Sequence, residues 1–209
     1  PNKTYFIETY GCQMNVADSE LVESLLQNIG YSPAENINEA EAIFVNTCAI
    51  RDHAEEKVNS QLGRYELIKK KTPEVIIGVL GCMAQSLKHD ILENKPYVDI
   101  IVGPDSYRKL PEILNRKNIN NNIVDTNLSR FEVYEDLFPK RKNGVNAWVS
   151  IMRGCDKFCT FCIVPFTRGR ERSRDLNGIL LEVEKAVEDG YQEITLLGQN
   201  VNSYKNNNN

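Results

Sequence analysis

Short apolar runs alternate with helix-patterned segments through residues 1–115. The apolar runs are TYFIETY, EAIFVNTC, VIIGVLGC and VDIIVGP. Helical periodicity marks ADSELVESLLQNIGY, RDHAEEKVNSQLGRYELIKKK and KHDILENKP between them, and DSYRKLPEILNRK after the last. Near-continuous apolar strands separated by helices are typical of a parallel sheet that is covered on both faces. The pattern therefore predicts an α/β domain over residues 1–115.

The pattern is lost after residue 115 and resumes near residue 144. Residues 116–143 are rich in Asn and in charge, so we predict a linker between domains, with NNIVDTN as one candidate strand. From residue 144, the strand NAWVSIM, a cysteine-rich loop, the helix DLNGILLEVEKAVEDG and the strand QEITLLG begin a second βα domain. This domain stops early, so we expect residues 144–209 to be the first part of a longer βα series. The origin of the terminal Asn run is left open.

Composition suits a globular protein in a reducing compartment. The chain has 209 residues, 41% of them hydrophobic, and a net charge of −4. No stretch reaches the length of a membrane span and the first residues show no signal-peptide pattern, so we expect a cytoplasmic protein without membrane contact. In that setting six cysteines are more typical of metal ligands or reactive thiols than of disulfides. Residues 1–115 hold 11 basic and 17 acidic side chains and residues 116–209 hold 14 and 12, which favours the second half for a polyanionic partner.

Three cysteines follow three successive strands of the predicted sheet. Cys12, Cys48 and Cys82, which we call the sheet-edge triad, are 36 and 34 residues apart, close to one βα unit each time. The carboxyl ends of parallel strands share one edge, where α/β folds bind ligands, and a following helix N-terminus favours thiolates. Structural zinc sites usually take four ligands, whereas three thiolates on a [4Fe–4S] cluster leave one iron open. The triad thus predicts an iron–sulfur or zinc site; the alternative is three unrelated buried cysteines.

A second set of cysteines is close together in sequence. Cys155, Cys159 and Cys162, the loop triad, have the spacing CxxxCxxC in RGCDKFCTFC. A zinc ribbon needs a second cysteine pair downstream, and the sequence contains none. Three thiolates in one short loop suit a [4Fe–4S] cluster whose open iron is chelated by a small molecule that carries an amine and a carboxylate. The alternative is a structural metal knot.

These motifs resemble a known family. CxxxCxxC with an aromatic residue, Phe161, before the last cysteine resembles the radical S-adenosylmethionine superfamily. TYGCQMNVADSE, NTCAIRDHAEEKV, GCMAQ, RGCDKFCTFCIVPFTRGRERSR and LLGQNVNSY together resemble its methylthiotransferases, most closely the branch that makes 2-methylthio-N6-dimethylallyladenosine in tRNA. The branch that modifies a ribosomal-protein aspartate usually has Pro-Lys-Asn after the first cysteine, where this chain has Gln13, Met14 and Asn15. A sister branch that acts on threonylcarbamoyladenosine is left open.

The resemblance implies an enzyme with S-adenosyl-L-methionine and two [4Fe–4S] clusters as cofactors. The loop triad would hold the cluster that cleaves S-adenosylmethionine to a radical, and the sheet-edge triad an auxiliary cluster that presents sulfur. The product would carry a methylthio group on carbon 2 of N6-dimethylallyladenosine at position 37 of tRNA. No catalytic residue is expected beyond the cluster ligands. Residues 144–209 would be the start of a radical S-adenosylmethionine (βα) partial barrel, and a C-terminal RNA-binding domain would lie outside this sequence.

The resemblance also implies two contacts with the cofactor, and the spacing of four arginines predicts contacts with phosphate. Phe161 would contact the adenine of the cofactor and Gln199 its methionine part. Four arginines at a spacing of two would line one face of an extended segment and suit phosphate contacts, with a solvated charged loop as the alternative: Arg168, Arg170, Arg172 and Arg174.

The expected partners are tRNA, a flavodoxin-like electron donor and proteins that supply iron–sulfur clusters or sulfur, and the expected state is a monomer. Two other functions are left open: methylthiolation of another substrate, namely threonylcarbamoyladenosine in tRNA or a ribosomal-protein aspartate, and a non-catalytic metal-containing protein that binds RNA.

Overall fold

The computed structural model describes residues 3–48, 52–116, 122–141 and 144–206, with the backbone alone for residues 52–57. The first domain is an α/β domain, as predicted. Its helices are α1 (Gln13–Asn28), α2 (Asp52–Lys71), α3 (Cys82–Ser86), α4 (Lys88–Asn94) and α5 (Leu110–Leu114). Its strands are β1 (Lys3–Tyr10), β2 (Tyr31–Pro33), β3 (Ala42–Thr47), β4 (Ile76–Gly81), β5 (Ile100–Val102) and β6 (Ile123–Asp125). Short 3-10 turns occupy Ile37–Glu39 and Tyr107–Lys109.

The six strands form one parallel sheet in the order β2-β1-β3-β4-β5-β6. Every residue of β3 is buried, because helices cover both faces of the sheet. Leu21 of α1 and Leu110 of α5 belong to one apolar cluster, whereas Leu62 of α2 and Ile91 of α4 belong to another. Residues that alternate along each strand point to these two layers. The consequence for function is that the carboxyl ends of β1, β3 and β4 lie side by side.

The segment that follows this domain is packed against it. The candidate strand in NNIVDTN is β6, which pairs with β5. Tyr134 is 3% exposed, its hydroxyl donates to the carbonyl oxygen of Pro104 at 2.9 Å, and it accepts from the backbone N–H of Tyr107 at 3.0 Å. The limits of the domains stay a prediction, but this part of the predicted linker contributes to the core of the first domain.

The second region contains the predicted strand–loop–helix–strand sequence. Its elements are β7 (Asn146–Ser150), β8 (Met152–Arg153), α6 (Val164–Thr167), β9 (Arg172–Ser173), α7 (Leu176–Glu188) and β10 (Glu193–Leu197), followed by a 3-10 turn at Val201–Ser203. β7 pairs with β10 in parallel, and β8 pairs with β9 in antiparallel. Helix α7 begins where the side chain of Asp175 accepts from the N–H of Asn177 at 2.7 Å. No helix of the residues described is long and apolar enough to cross a lipid bilayer.

Candidate metal centres

The sheet-edge triad lies at the carboxyl ends of three neighbouring strands. Cys12 follows β1 and immediately precedes α1, Cys48 follows β3, and Cys82 is the first residue of α3 after β4. Cys48 and Cys82 are 6% and 3% exposed, and Cys12 is partly buried. The sequence predicted this common edge from the βα spacing, and the adjacency of β1, β3 and β4 in the sheet is its physical basis.

Two glycines allow the ends of these strands to approach each other. Gly11 has φ +131°, and a Cβ there would lie 2.7 Å from the Cβ of Cys48. Gly81 has φ +86°, and a Cβ there would collide with the side-chain oxygen of Asn46. Both φ values lie in a region that glycine adopts readily and other residues do not. The glycine before Cys12 and the one before Cys82 are therefore needed for close packing at this edge.

A buried amide pair lies directly beneath the triad. The Cys12 thiol donates to Asn15 Oδ1 at 3.2 Å, and Asn15 Nδ2 donates to Asn46 Oδ1 at 3.2 Å. Asn46 Nδ2 in turn donates to the Asn15 carbonyl oxygen at 3.0 Å and to Ser19 Oγ at 2.9 Å. Both Asn side chains are fully buried, so their hydrogen bonds fix the relation of α1 to β3. This pair was not predicted from the sequence. The signal for it was Asn46, a polar residue that directly follows the apolar run AIFV within the same strand.

The surroundings of Cys12 favour its thiolate. The pKa of Cys12 is lowered to about 5, chiefly by a hydrogen bond from Cys48; burial opposes this shift, and the backbone N–H of Asn15 and the charge of Arg168 add to it. A helix N-terminus and a nearby cation are the settings in which cysteines become metal ligands or nucleophiles. The sheet edge at Cys12 thus favours a group that binds to a thiolate.

The loop triad lies between β8 and α6 and is more open. Cys155 is 9% exposed, Cys162 is partly buried and Cys159 is exposed. The Cys162 N–H donates to the Cys159 carbonyl oxygen at 2.9 Å, which closes a turn between the last two cysteines. All six cysteines lie among the described residues, and none of them forms a disulfide.

Hydrogen bonds from neighbouring segments hold the start of this loop. The Gly154 N–H donates to Gln199 Oε1 at 2.6 Å, and the Cys155 N–H donates to the Gly169 carbonyl oxygen at 3.1 Å. Gln199 therefore lies beside the first cysteine of the loop, and its contact with the methionine part of the cofactor stays a prediction. Phe161 is 95% exposed, and its contact with the adenine of the cofactor stays a prediction.

Of the four predicted phosphate-binding arginines, three are buried, so the expectation of one exposed basic face is wrong. Arg168, Arg172 and Arg174 are between 3% and 7% exposed and face Asp18, Asp105 and Glu182, respectively. Burial of a guanidinium requires carboxylate partners, and these come from segments distant in sequence. Arg170 is exposed and pairs with Asp156, where Arg170 Nε and Asp156 Oδ1 are 2.6 Å apart. RNA contact stays a prediction for Arg170 alone.

Comparison with known proteins supplies the identity of the family. Residues 4–103 match the family described as Uncharacterized protein family UPF0004, and residues 149–208 match the Radical SAM superfamily. A protein of Bacteroides thetaiotaomicron named tRNA-2-methylthio-N(6)-dimethylallyladenosine synthase is 54% identical over 206 residues, which is 98% of this chain and 45% of that protein. The chain belongs to the radical S-adenosylmethionine methylthiotransferase family. Relatives of the same name from Amoebophilus asiaticus and Chloroherpeton thalassium are 51% and 48% identical and are covered over 42% and 44% of their length.

The chain spans less than half of the length of these methylthiotransferase relatives. A solved structure of the radical S-adenosylmethionine methyltransferase TsrM from Kitasatospora setae, with tryptophan and an S-adenosylmethionine analogue bound, matches 96% of this chain and 49% of its own. Its TM-score is 0.44 and its sequence identity is 11%, and a likeness this distant carries no argument about the site.

The donor groups at both triads fit the clusters that a radical S-adenosylmethionine methylthiotransferase implies. Thiolates are the ligands of iron–sulfur clusters, and each triad offers three. In the residues that the structure describes, no group of three or more His, Cys, Asp or Glu side chains is arranged to hold a metal ion. The low pKa of Cys12 favours such a cluster at the sheet edge.

Proposed function

We propose that the protein containing this chain transfers a methylthio group to carbon 2 of N6-dimethylallyladenosine at position 37 of tRNA. The observation that carries the proposal is the 54% identity, over 98% of the chain, to a relative named for this reaction. The aligned residues include both cysteine triads, so the similarity to this relative extends over both candidate metal centres.

Each triad would hold one [4Fe–4S] cluster. When bound, the clusters and S-adenosylmethionine would supply an electron, a hydrogen-abstracting radical and a sulfur atom. The residues of the chain would then hold these groups in position and limit the access of water. Burial of Cys48 and Cys82 restricts access at the sheet edge, whereas the exposure of Cys159 leaves room for a small cofactor at the loop.

Two residues beside the loop triad support cofactor binding there. Gln199 accepts from the Gly154 N–H, which fixes the backbone just ahead of Cys155. We propose that the Gln199 side chain orients this turn and lies next to the methionine part of the cofactor. Phe161, with its ring exposed, would lie against the adenine.

The partners and the location are part of the same proposal. The substrate would be tRNA, the reductant a flavodoxin-like protein, and the sulfur and clusters would come from dedicated supply proteins. The protein would act in the cytoplasm as a monomer. Arg170, exposed beside the loop triad, is the arginine of its stretch that would contact an RNA phosphate.

Nucleoside mass analysis tests the proposal. In cells that lack the protein, tRNA should contain N6-dimethylallyladenosine without its 2-methylthio derivative, and the intact protein should restore the derivative. A protein in which the loop triad is replaced by Ala should not restore it. The proposal would be contradicted if cells without the protein kept 2-methylthio-N6-dimethylallyladenosine. Loss of the methylthio group from threonylcarbamoyladenosine, or from a ribosomal-protein aspartate, would then identify one of the alternative substrates.

A further inference from the structure

One buried cation connects the loop region to the sheet-edge triad. Arg168 follows α6, and α6 packs against α3, whose first residue is Cys82. The Arg168 side chain is 4% exposed, and its Nη2 lies 2.9 Å from Oδ2 of Asp18 on α1, the helix that begins immediately after Cys12. Arg168 therefore connects α6, which packs against the helix that begins at Cys82, to α1, which begins immediately after Cys12.

The carboxylate of Asp18 is shared between two guanidinium groups. Asp18 is fully buried, and Arg153 forms an ion pair with its other oxygen, Oδ1. The hydroxyl of Tyr107 also donates to Asp18 Oδ2, at 3.4 Å. One carboxylate neutralises about one of two buried cations, and a buried cation without a full partner is costly. Arg168 accordingly has capacity for a further anion.

The donor groups of Arg168 are not satisfied by the described residues. Neither Nη1 nor Nη2 of Arg168 has a hydrogen-bond partner there, since the contact with Asp18 lacks hydrogen-bond geometry. Both terminal nitrogens of Arg153 have acceptors, because Nη2 donates to Asp18 and Nη1 donates to the carbonyl oxygen of Pro104 at 3.5 Å, and only its Nε has no partner among the described residues. Unpaired guanidinium N–H groups in a buried position indicate that a ligand is accepted there.

Two thiols of the triad, Cys12 and Cys82, interact electrostatically with the Arg168 guanidinium. Burial alone lowers the pKa of Arg168, but the charges of Asp18 and then of Cys82, with a smaller effect from Cys12, raise it well above its ordinary value. The anion that Arg168 accepts would consequently lie near Cys12 and Cys82. The proposed function places one small anion at this edge, the sulfur to be transferred, and a guanidinium is a charged hydrogen-bond donor that suits it.

We propose that Arg168 binds an anionic sulfur ligand, a hydrosulfide or a small alkyl thiolate, at the open position of the sheet-edge triad. This inference rests on the proposed function, because the ligand would be the sulfur held for transfer. It also assigns a task to one arginine of TRGRERSR that differs from RNA binding. The segment after the loop triad would thereby contribute directly to the sulfur site.

Hydrosulfide titration tests this proposal. The full chain with Cys155, Cys159 and Cys162 replaced by Ala is reconstituted anaerobically with iron and sulfide, so that any cluster belongs to the sheet-edge triad. Sodium hydrosulfide is then added to the desalted, reduced protein, and its affinity is taken from the change in the electron paramagnetic resonance spectrum. Three substitutions are compared in this background: Arg168→Met, Arg168→Lys and, as a control, Arg141→Met. Arg141 is also buried and ion-paired, with Glu20 and Glu182, and Arg168 rather than Arg141 is the cation that lowers the pKa of Cys12.

Arg168→Met should retain iron and weaken hydrosulfide binding about tenfold or more, as expected for loss of a charged hydrogen bond. Arg168→Lys, which keeps the charge without the forked donors, should weaken it about threefold, and Arg141→Met should leave it unchanged. Equal affinities in Arg168→Met and its parent, at equal iron content, would overturn the proposal. If Arg168→Met does not fold, an unchanged affinity in Arg168→Lys overturns it. If the protein that retains Arg168 and the sheet-edge triad binds no iron, the proposed function itself is contradicted. Iron content therefore distinguishes failure of the proposed function from failure of the role of Arg168.

Discussion

The two cysteine triads are built in different ways. The sheet-edge triad is assembled from three strand ends, beneath which Asn15 and Asn46 are fully buried and hydrogen-bonded to each other. The loop triad occupies one short segment, fixed at its start by Gly154 and Cys155 and exposed at Cys159. A site that draws on a folded sheet edge depends on the whole domain, whereas a loop site depends on its own turns. Burial of the sheet-edge triad is consistent with the proposed sulfur site, and exposure of Cys159 in the loop triad is consistent with the proposed cofactor site.

The two regions meet in a buried ion cluster. Asp18 of the first domain contacts Arg153 and Arg168 on either side of the loop triad. Asp105, which follows β5, contacts Arg172 at 2.7 Å. These ion pairs fix the orientation of one triad relative to the other, so their loss should affect more than local stability.

The largest expected effect comes from breaking that connection. Asp18→Asn removes the carboxylate from two buried guanidinium groups, and we expect the free energy of unfolding to fall by about 3–5 kcal/mol. Urea unfolding followed by circular dichroism measures this change. Asp156→Asn, which removes the exposed partner of Arg170, is the matched control and should leave the midpoint unchanged. Equal midpoints for the two variants would show that the Asp18 cluster does not hold the regions together.

A smaller loss should follow from widening the sheet edge. Gly81→Ala places a Cβ against Asn46 at a positive φ, and we expect it to cost about 2–4 kcal/mol of unfolding free energy. Gly30→Ala separates strain from collision, because Gly30 has φ +85° with nothing within 4 Å of a Cβ. That control should cost only about 1–2 kcal/mol. If Gly30→Ala were as destabilising as Gly81→Ala, close packing at the triad would not explain the glycine.

The amide pair gives a third comparison within the first domain. Asn46→Ala leaves the buried Asn15 Nδ2 without an acceptor and removes one hydrogen bond from Ser19 Oγ, which keeps its bond to Thr9 Oγ1 at 2.7 Å. The expected cost in unfolding free energy is about 1–3 kcal/mol. The exposed Asn38 serves as the control, and Asn38→Ala should change the unfolding free energy by less than about 0.5 kcal/mol. Similar urea midpoints for Asn46→Ala and the unsubstituted chain would argue against a structural role of the pair.

Thiol reactivity should separate the triads without altering the fold. In the folded chain without metal, Cys159 should react with an aromatic disulfide reagent at least about tenfold faster than Cys82, because Cys159 is exposed and Cys82 is 3% exposed. Two variants, each retaining one of these cysteines with the other five replaced by Ser, allow the rates to be compared by absorbance. Equal rates would mean that the sheet edge opens as readily as the loop.

Much of the fold follows from the sequence, because long apolar strands and a regular βα spacing are strong signals. VIIGVLG is β4, and its place beside β3 brings Cys82 to the same edge as Cys48. The three-residue strand β2 and the five-residue helix α3 were not predicted, since segments this short are stabilised by their neighbours more than by their own pattern.

The buried charges were the main failure of sequence reasoning. Arginines in an extended run are ordinarily exposed, and the carboxylates that bury Arg168 and Arg172 lie far earlier in the chain. A signal was nevertheless present in α1, where Asp18 falls on the apolar stripe that includes Ala17, Leu21 and Val22. A charged residue on a core-facing stripe indicates a partner in the core. The ligand roles of the six cysteines stay predictions.

Iron and sulfide analysis tests the central claim, that the two triads are separate cluster sites, most directly. After anaerobic reconstitution the chain should contain about eight iron and about eight sulfide, and replacement of either triad by Ala should leave about four of each. The single-triad proteins should also differ in their response to S-adenosylmethionine, with spectral change only where the loop triad remains. One zinc per chain without sulfide, or loss of all iron on replacing one triad, would contradict the account.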